Sequence, residues 1–218
     1  MAVNPLTAQN AGSESNFGFI VKQMGLVEYG ITWQAMKDFT RTRTSLTTDE
    51  IWLLQHPAVY TQGVAGKPEH LLIDSGITVI KTDRGGQITY HGPGQLIVYL
   101  LLDIRRLKLG VRELVRKMEA AVIHLLSEYQ ISAHGREDMP GVYVGAAKIA
   151  SLGLKIKKNY CYHGIALNVD MDLKPFSAIN PCGYAGLKVT QTKDLGINDE
   201  LDVLSAKLSD YLQQELVK

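Results

Sequence analysis

The chain has 218 residues, of which 45% are hydrophobic and 21% charged, and its formal net charge is +1. A chain of this length suits one domain and buries roughly 70% of its unfolded surface, so it needs no disulfide or metal to fold. The near-zero charge excludes a general attraction of the whole chain to nucleic acid or to a membrane surface.

The N-terminal residues are small and polar and lack the basic start, apolar core and cleavage site of a secretory peptide. We therefore predict a disordered polar tail over 1–16 and one folded domain over 17–218. Two cysteines, Cys161 and Cys182, are too few for a disulfide framework and favour reduced thiols in the cytoplasm. The longest apolar run, 96–102, is too short to cross a bilayer.

The first half of the chain predicts one helix and three strands. The helix lies near 32–44, and a strand over 51–55 ends at the break His56-Pro57. A short strand over 77–81 precedes a glycine-rich stretch, RGGQITYHGPGQ, at 84–95. This stretch leads into an apolar strand over 96–103.

The second half begins with a long amphipathic helix, since apolar residues recur at helical spacing from Val111 to Tyr129. Strands over 142–144 and 148–157, joined by a small-residue turn, precede a strand over 162–170. A final helix has Asn198 as its predicted N-cap. Because strands and helices do not alternate regularly, the pattern predicts an α+β fold with a mixed or largely antiparallel sheet packed with helices.

Lys148 begins a strand with an apolar face. Strict alternation places it, unless a bulge intervenes, with Ala150, Leu152, Leu154 and Ile156. Such a lysine either reaches water from the strand end or lies in a partly dry pocket, where burial would lower its pKa. In the second case the neutral amine could take a proton from a nucleophile.

Two further residues carry reactive groups. By the same alternation His163 lies with Ile165 and Leu167, which predicts a core histidine bonded to a carbonyl. Cys182 stands between Pro181 and Gly183, and this context predicts a thiol on a turn, where it can meet a substrate. Cys161 begins a strand, and we interpret it as structural.

The glycine-rich stretch matches neither a phosphate-binding P-loop nor a dinucleotide fingerprint. Its glycines would let the backbone approach an extended ligand closely. The sequence has no H-E-x-x-H and no paired C-x-x-C, so we predict no metal site and no cofactor.

Several blocks together resemble the octanoyltransferases of lipoate biosynthesis, also called lipoyl(octanoyl) transferases. The blocks are RGGQITYHGPGQ (84–95), MPGVYVGAAKIASLGLKIKK (139–158), HGIALNVDMDL (163–173) and NPCGYAG (180–186), with DEIWLLQHPAVYTQG (49–63) in support. The resemblance covers nearly all of the chain after the tail. It implies a fold similar to the catalytic domains of lipoate- and biotin-protein ligases, with 17–218 as the catalytic domain.

The resemblance also implies roles for individual residues. Cys182 matches the nucleophile that carries the acyl group, and Lys148 matches its lysine partner. His91 is expected to help shape the acyl site. The acyl-binding segments of the family fall on Arg84, Gly85, Gly86, Gln87, Ile88, Thr89, Tyr90, His91, Ser151, Leu152, Gly153, Gly164, Ile165 and Ala166.

The partners implied by the resemblance are proteins. The octanoyl donor would be acyl carrier protein, and the acceptors would be lipoyl domains of 2-oxoacid dehydrogenase complexes and the H protein of glycine cleavage. The enzyme would be a cytoplasmic monomer with no nucleic-acid or membrane partner. Because acyl carrier proteins are acidic, docking charges are expected among Arg105, Arg106, Lys108, Lys155, Lys157 and Lys158.

Three alternatives remain open at this point. An ATP-dependent lipoate or biotin ligase would share the fold but would not need a thiol at position 182. An amidotransferase that moves octanoyl between lipoyl proteins could use the same cysteine. A module that only binds carrier or lipoyl proteins would show no turnover.

Overall fold

The computed structural model describes residues 18–218, and the polar tail predicted for 1–16 lies outside the described residues. Ten strands and three helices follow one another along the described part of the chain. They are β1 (Phe19–Leu26), α1 (Tyr29–Thr42), β2 (Asp49–Gln55), β3 (Val59–Gln62), β4 (Val79–Lys81), β5 (Ile88–His91), β6 (Gln95–Asp103), α2 (Val111–Glu128), β7 (His134–Gly135), β8 (Gly141–Val144), β9 (Ala147–Lys157), β10 (Tyr160–Asn168) and α3 (Leu201–Val217).

Seven strands form the main sheet in the order β1-β2-β6-β10-β9-β8-β7. The β1–β2 pair is parallel, whereas every other pair in this sheet is antiparallel. A second sheet has the order β4-β3-β5, with β3 parallel to β4 and antiparallel to β5. The predicted α+β fold with a mixed sheet is therefore confirmed.

The main sheet is covered on both faces, which explains why β6 reads as a continuous apolar run. On one face, alternate β6 residues from Leu96 to Leu102 pack with α2 and α3 in the largest hydrophobic cluster. On the other, Ile97, Tyr99 and Leu101 pack with Met36 of α1 in a second cluster. All nine residues of β6 are buried, so this strand fixes the centre of the molecule.

No strand was predicted within the glycine-rich stretch 84–95, but Ile88–His91 in its middle forms strand β5. Thr89 and Tyr90 pair there with Thr61 and Tyr60 of β3. The partner strand is distant in sequence, and local composition does not report such pairing. The final helix also differs from its prediction, because it begins at Leu201 with Glu200, rather than Asn198, at the N-cap.

Among residues 18–218, no helix is both long enough and apolar enough to cross a membrane.

Candidate active site

A cavity of about 440 Å³ lies against β9 and β10, within the range of about 300–1,000 Å³ that is usual for small-molecule sites. Its floor is a short antiparallel pairing in which Ser151, Leu152 and Gly153 face Ala166, Ile165 and Gly164 in register. The two acyl-binding segments implied by the resemblance on these strands are thus direct cross-strand partners.

The glycine-rich segment forms the opposite wall. Arg84 to Thr89 and His91 line the cavity together with Cys182. Tyr90 does not line it, because alternation along β5 turns its ring toward Tyr60 and Phe176 in a separate hydrophobic cluster. Of the predicted acyl-binding residues, Tyr90 is the one that the structure places outside the cavity.

Cys182 lies in a tight turn, Pro181–Gly183, with φ at 57°. The left-handed conformation is unusual for a residue with a side chain and marks a backbone held by its surroundings. The Gly183 amide donates to the Asn180 carbonyl at 2.9 Å and closes the turn. Gly183 itself has φ of 82°. The turn therefore presents a half-buried thiol to the cavity, as the sequence context predicted.

Lys148 is 2% exposed. Its ammonium donates to the Pro140 carbonyl at 3.1 Å and to Cys182 Sγ at 3.2 Å. The Tyr143 ring lies 5.1 Å from Nζ. The lysine and the thiol that the resemblance paired are therefore in direct contact.

The reason predicted for the burial of Lys148 is not the one observed. The β8–β9 register shifts, because Val142 pairs with Ala150 whereas Tyr143 pairs with Lys148. Ile149 is therefore an extra residue in β9, a β-bulge, and it interrupts the alternation of side chains. The prediction that Lys148 shares a face with Ala150 depended on that alternation. Lys148 is buried because β8, the Pro140 carbonyl and the Cys182 turn surround it.

The prediction that burial lowers the pKa of Lys148 is also wrong. Burial acts in that direction, but the charge of Cys182 and the proximity of Tyr143 outweigh it and raise the pKa. The amine therefore stays protonated beside the thiol. A cation at this distance would stabilise a thiolate, so Lys148 is placed to act on Cys182 as a positive charge and not as a neutral base.

Backbone pairing links the two members of the pair. The Lys148 amide donates to the Lys188 carbonyl at 2.8 Å, and the Thr190 amide donates to the Lys148 carbonyl at 3.0 Å. Val189, on the segment that returns from the Cys182 turn, forms a parallel bridge with Lys148. The turn that carries the thiol is thus tied to the strand that carries the lysine.

Arg84 holds the glycine-rich segment in place. Its guanidinium donates to the Thr61 carbonyl at 2.6 Å, to the Gln87 carbonyl at 2.8 Å and to the Gly85 carbonyl at 2.9 Å. The Gly85 amide donates to the Leu154 carbonyl at 2.9 Å and docks the segment on β9. Burial lowers the pKa of Arg84, yet it remains a cation because guanidinium is so basic.

Both ring nitrogens of His91 are engaged. Nδ1 lies 2.7 Å from Gln95 Oε1, and Nε2 lies 3.1 Å from Thr61 Oγ1. Since the amide oxygen can only accept, Nδ1 carries the hydrogen and Nε2 accepts from the hydroxyl. Burial lowers the pKa of His91 to about 3. The neutral ring is therefore placed to orient Thr61 and, through it, Arg84.

The prediction that His163 lies on the same face of its strand as Ile165 and Leu167 is wrong. Its φ of 66° breaks the alternation of β10 and turns the ring to the cavity side, beside Tyr99 and Tyr162. Nε2 lies 3.3 Å from Asp83 Oδ1, so its partner is a carboxylate and not a carbonyl. Burial lowers the pKa of His163, although Asp83 opposes the shift.

Sequence reasoning missed other residues of the cavity wall. Tyr29, Tyr99, Met139 and Tyr184 line it, and the Tyr29 hydroxyl is buried without a hydrogen-bond partner among the described residues. Tyr29 begins α1 and Tyr99 lies within an apolar strand, so neither stands in a recognisable local motif. Met139 differs, because it lies in the block 139–158 that carries the resemblance and could have been predicted from it.

Cys161 fits its structural interpretation. It is fully buried between sheet and helices, and Sγ donates to the Leu100 carbonyl at 3.3 Å. Burial raises the pKa of Cys161 to about 12, which keeps the thiol protonated and unreactive. Within 18–218 no group of three or more histidine, cysteine and acidic side chains is arranged to hold a metal ion.

Comparisons with known proteins show the family. Residues 28–213 match the lipoyl protein ligase A/B catalytic domain. The octanoyltransferase of Nitrosospira multiformis is 69% identical over 199 residues, which cover 91% of this chain and 93% of that protein.

Two solved structures show the fold at low identity. The bipartite lipoate protein ligase of Thermoplasma acidophilum, described with its E2 lipoyl domain, has a TM-score of 0.71 at 16% identity over 92% of this chain and 84% of that one. The biotin protein ligase of Aquifex aeolicus in complex with biotin and ATP has a TM-score of 0.58 at 14% identity over 91% and 70%. The expected likeness to lipoate and biotin ligases is confirmed.

Proposed function

The chain belongs to the lipoyl protein ligase A/B catalytic domain family and, within it, to the octanoyltransferases, and from this premise we propose that it transfers an octanoyl group from acyl carrier protein to a lysine of lipoyl domains through a thioester on Cys182. The observation that carries the proposal is the contact of 3.2 Å between Lys148 Nζ and Cys182 Sγ at the wall of the cavity.

In the first half-reaction the Cys182 thiolate attacks the carbonyl carbon of the donor thioester. The oxyanion that forms needs hydrogen-bond donors, and the backbone amides beside Cys182 and Gly86 lie on the cavity wall. When the tetrahedral intermediate collapses, the bond to the carrier sulfur breaks. Lys148 gives its proton to the departing thiolate, so the carrier leaves as a thiol and the lysine becomes neutral.

In the second half-reaction the amine of the acceptor lysine attacks the acyl-enzyme carbonyl. An amide bond forms, the bond to Cys182 Sγ breaks, and the neutral Lys148 recovers one proton from the attacking nitrogen. The ammonium–thiolate pair is thereby restored. Two successive transfers through one covalent intermediate give ping-pong kinetics.

The cavity supports an acyl substrate. Ile88, Leu152 and Ile165 supply apolar surface to the cavity. Gly153 leaves space for the substrate beside Arg84, because a Cβ at this position would lie 3.3 Å from Arg84 Cδ. The donor thioester is already activated, so the proposed reaction needs neither ATP nor a metal. The proposal includes a monomeric cytoplasmic enzyme whose catalytic domain spans 17–218.

The placement of the predicted docking charges restricts how the carrier can bind. Tyr160 pairs with both Asp103 and Lys157, so the two basic clusters meet at one end of the sheet. Lys148 lies nine residues away along β9, about 30 Å at the rise of an extended strand. Arg106 is also bound to Asp49 at 2.7 Å, which makes it less available to an acidic carrier than the other charges of the two clusters.

Intact-mass measurement tests the proposal directly. The protein is mixed with octanoyl-acyl carrier protein without an acceptor, beside the Cys182→Ser variant. We expect wild type to gain one octanoyl group and the variant to gain none. Adding a lipoyl domain should then move the octanoyl group to that domain. No gain by the wild type, or a gain that requires ATP and free octanoate, would contradict the proposal.

Comparing donors separates the remaining alternatives. An amidotransferase would be acylated by an octanoylated lipoyl protein faster than by octanoyl-acyl carrier protein, and a binding module would be acylated by neither. The proposed function predicts a preference for the carrier thioester.

A further inference from the structure

The proposed reaction releases one proton that none of the residues named so far accepts. The acceptor lysine arrives as an ammonium and leaves as an amide, so its nitrogen loses two protons. Lys148, having given one proton to the carrier thiol, can take back only one. The second proton needs another acceptor, and a side chain close to the Cys182 turn could receive it before solvent does.

His70 lies against that turn. A Cβ built on Gly183 would lie 3.2 Å from His70 Nε2 and 3.1 Å from Gln87 Cγ, so the two side chains enclose the residue that follows Cys182. The His70 carbonyl also accepts from the Asn180 amide at 2.8 Å, two residues before the thiol. This position is fixed by backbone bonds, independently of the side chains.

His70 and Gln87 carry unused polar atoms. His70 Nδ1 and Gln87 Oε1 are both buried without a hydrogen-bond partner in the described part of the chain. Native proteins rarely leave such groups unpaired. An amide oxygen only accepts, whereas Nδ1 can donate, so the two atoms are complementary and flank one glycine.

The position of His70 relative to the acyl cavity also supports this role. Gln87 and Cys182 line the acyl cavity, whereas His70 does not. With the acyl chain in the cavity, the second nucleophile must approach the carbonyl from outside it, where His70 lies. On the segment that carries His70, Lys67 and Glu69 pair with each other at 3.6 Å.

We propose that His70, which lies against Gly183 beside the Cys182 thiol, accepts the ammonium proton of the incoming lysine in the second half-reaction and then releases it to water. Histidine is the side chain suited to take up and release a proton near neutral pH. The inference rests on the proposed function, and it assigns the acceptor lysine to the His70 side of the Cys182 turn. No role in acylation by the carrier thioester follows from it.

Separate measurement of the half-reactions tests the assignment. The His70→Gln variant is acylated with octanoyl-acyl carrier protein, and transfer to a purified lipoyl domain is then followed by intact mass in single turnovers from pH 6.5 to 9. We expect transfer to be slowed about 10²-fold at pH 7, the lower range for loss of a general base. The defect should shrink at high pH, where the acceptor amine loses its proton unaided.

Hydroxylamine distinguishes proton transfer from a structural role, because it is largely unprotonated at neutral pH. The acyl-enzyme of His70→Gln should react with it at the wild-type rate. His124→Gln, which changes an exposed histidine packed on Tyr211, is the matched control. Transfer to the lipoyl domain at the wild-type rate overturns the inference, as does equal slowing of acylation or of the hydroxylamine reaction. A wild type that never forms the acyl-enzyme overturns the proposed function together with this inference.

Discussion

Replacing Lys148 by methionine removes the positive charge from the pair while keeping an unbranched side chain in the buried slot. Two unit charges 3.2 Å apart attract by about 5 kcal/mol at an effective dielectric constant of ~20. Cys182 is only half-buried, so solvent screens part of this attraction. About 2–4 kcal/mol of thiolate stabilisation should be lost, and acylation should slow by about 30-fold to 10³-fold.

The assay is the single-turnover rate of acylation by octanoyl-acyl carrier protein, followed by intact mass. The rate of iodoacetamide alkylation of Cys182 at pH 7 reports the reactivity of the thiol independently, and it should be lower in the variant. Lys174→Met, which changes an exposed lysine outside the cavity wall and the predicted docking charges, is the control and should behave as wild type. Acylation of Lys148→Met at the wild-type rate, in a protein with an unchanged melting temperature, would refute the ammonium–thiolate pair.

Three further outcomes are expected. His91→Ala should impair acylation without unfolding the chain, because it frees Thr61 and Arg84 from their orientation, and unchanged acylation would remove His91 from the site. Stability to urea should fall as the pH drops from about 6.5, because the pKa values of buried His56 and His91 are lowered to about 4 and about 3. The histidines of the unfolded state bind protons at a higher pH than those of the folded state, so their contribution to stability is fully present above pH ~6.5 and is lost toward pH 4 and then pH 3. A urea midpoint of unfolding that stays constant from pH 7.5 to 4.5 would contradict this. Lys157→Glu with Lys158→Glu should raise KM for the carrier-bound donor and leave kcat unchanged, and an unchanged KM would exclude this end of the sheet as the docking site.

Several features could be predicted from local sequence. The long helix α2 follows from its apolar periodicity, and the turn at Cys182 follows from the flanking proline and glycine. The α+β fold was predicted correctly from the irregular order of strands and helices. These features depend on interactions between residues close together in the chain, which is why composition and spacing are sufficient.

The assignment of side chains to strand faces by alternation was wrong where the backbone departs from regular strand geometry. The bulge beside Ile149 and the left-handed conformation of His163 each break the period of two. Neither is visible in the residue types, because partners from other strands and loops impose them. Strand β5 was missed within the glycine-rich stretch for the same reason, since its pairing with β3 is not local.

By itself the sequence determined the family and the fold class, and it predicted that Cys182 and Lys148 form a pair, because these features reside in residue types at fixed spacings. Only the tertiary structure decided the charge state of Lys148. Burial alone predicts a lowered pKa, and the direction reverses because the return segment at Val189 brings the Cys182 thiol to 3.2 Å from the amine. The position of His70 against Gly183 is likewise a product of chain folding, since 113 positions of sequence separate the two residues.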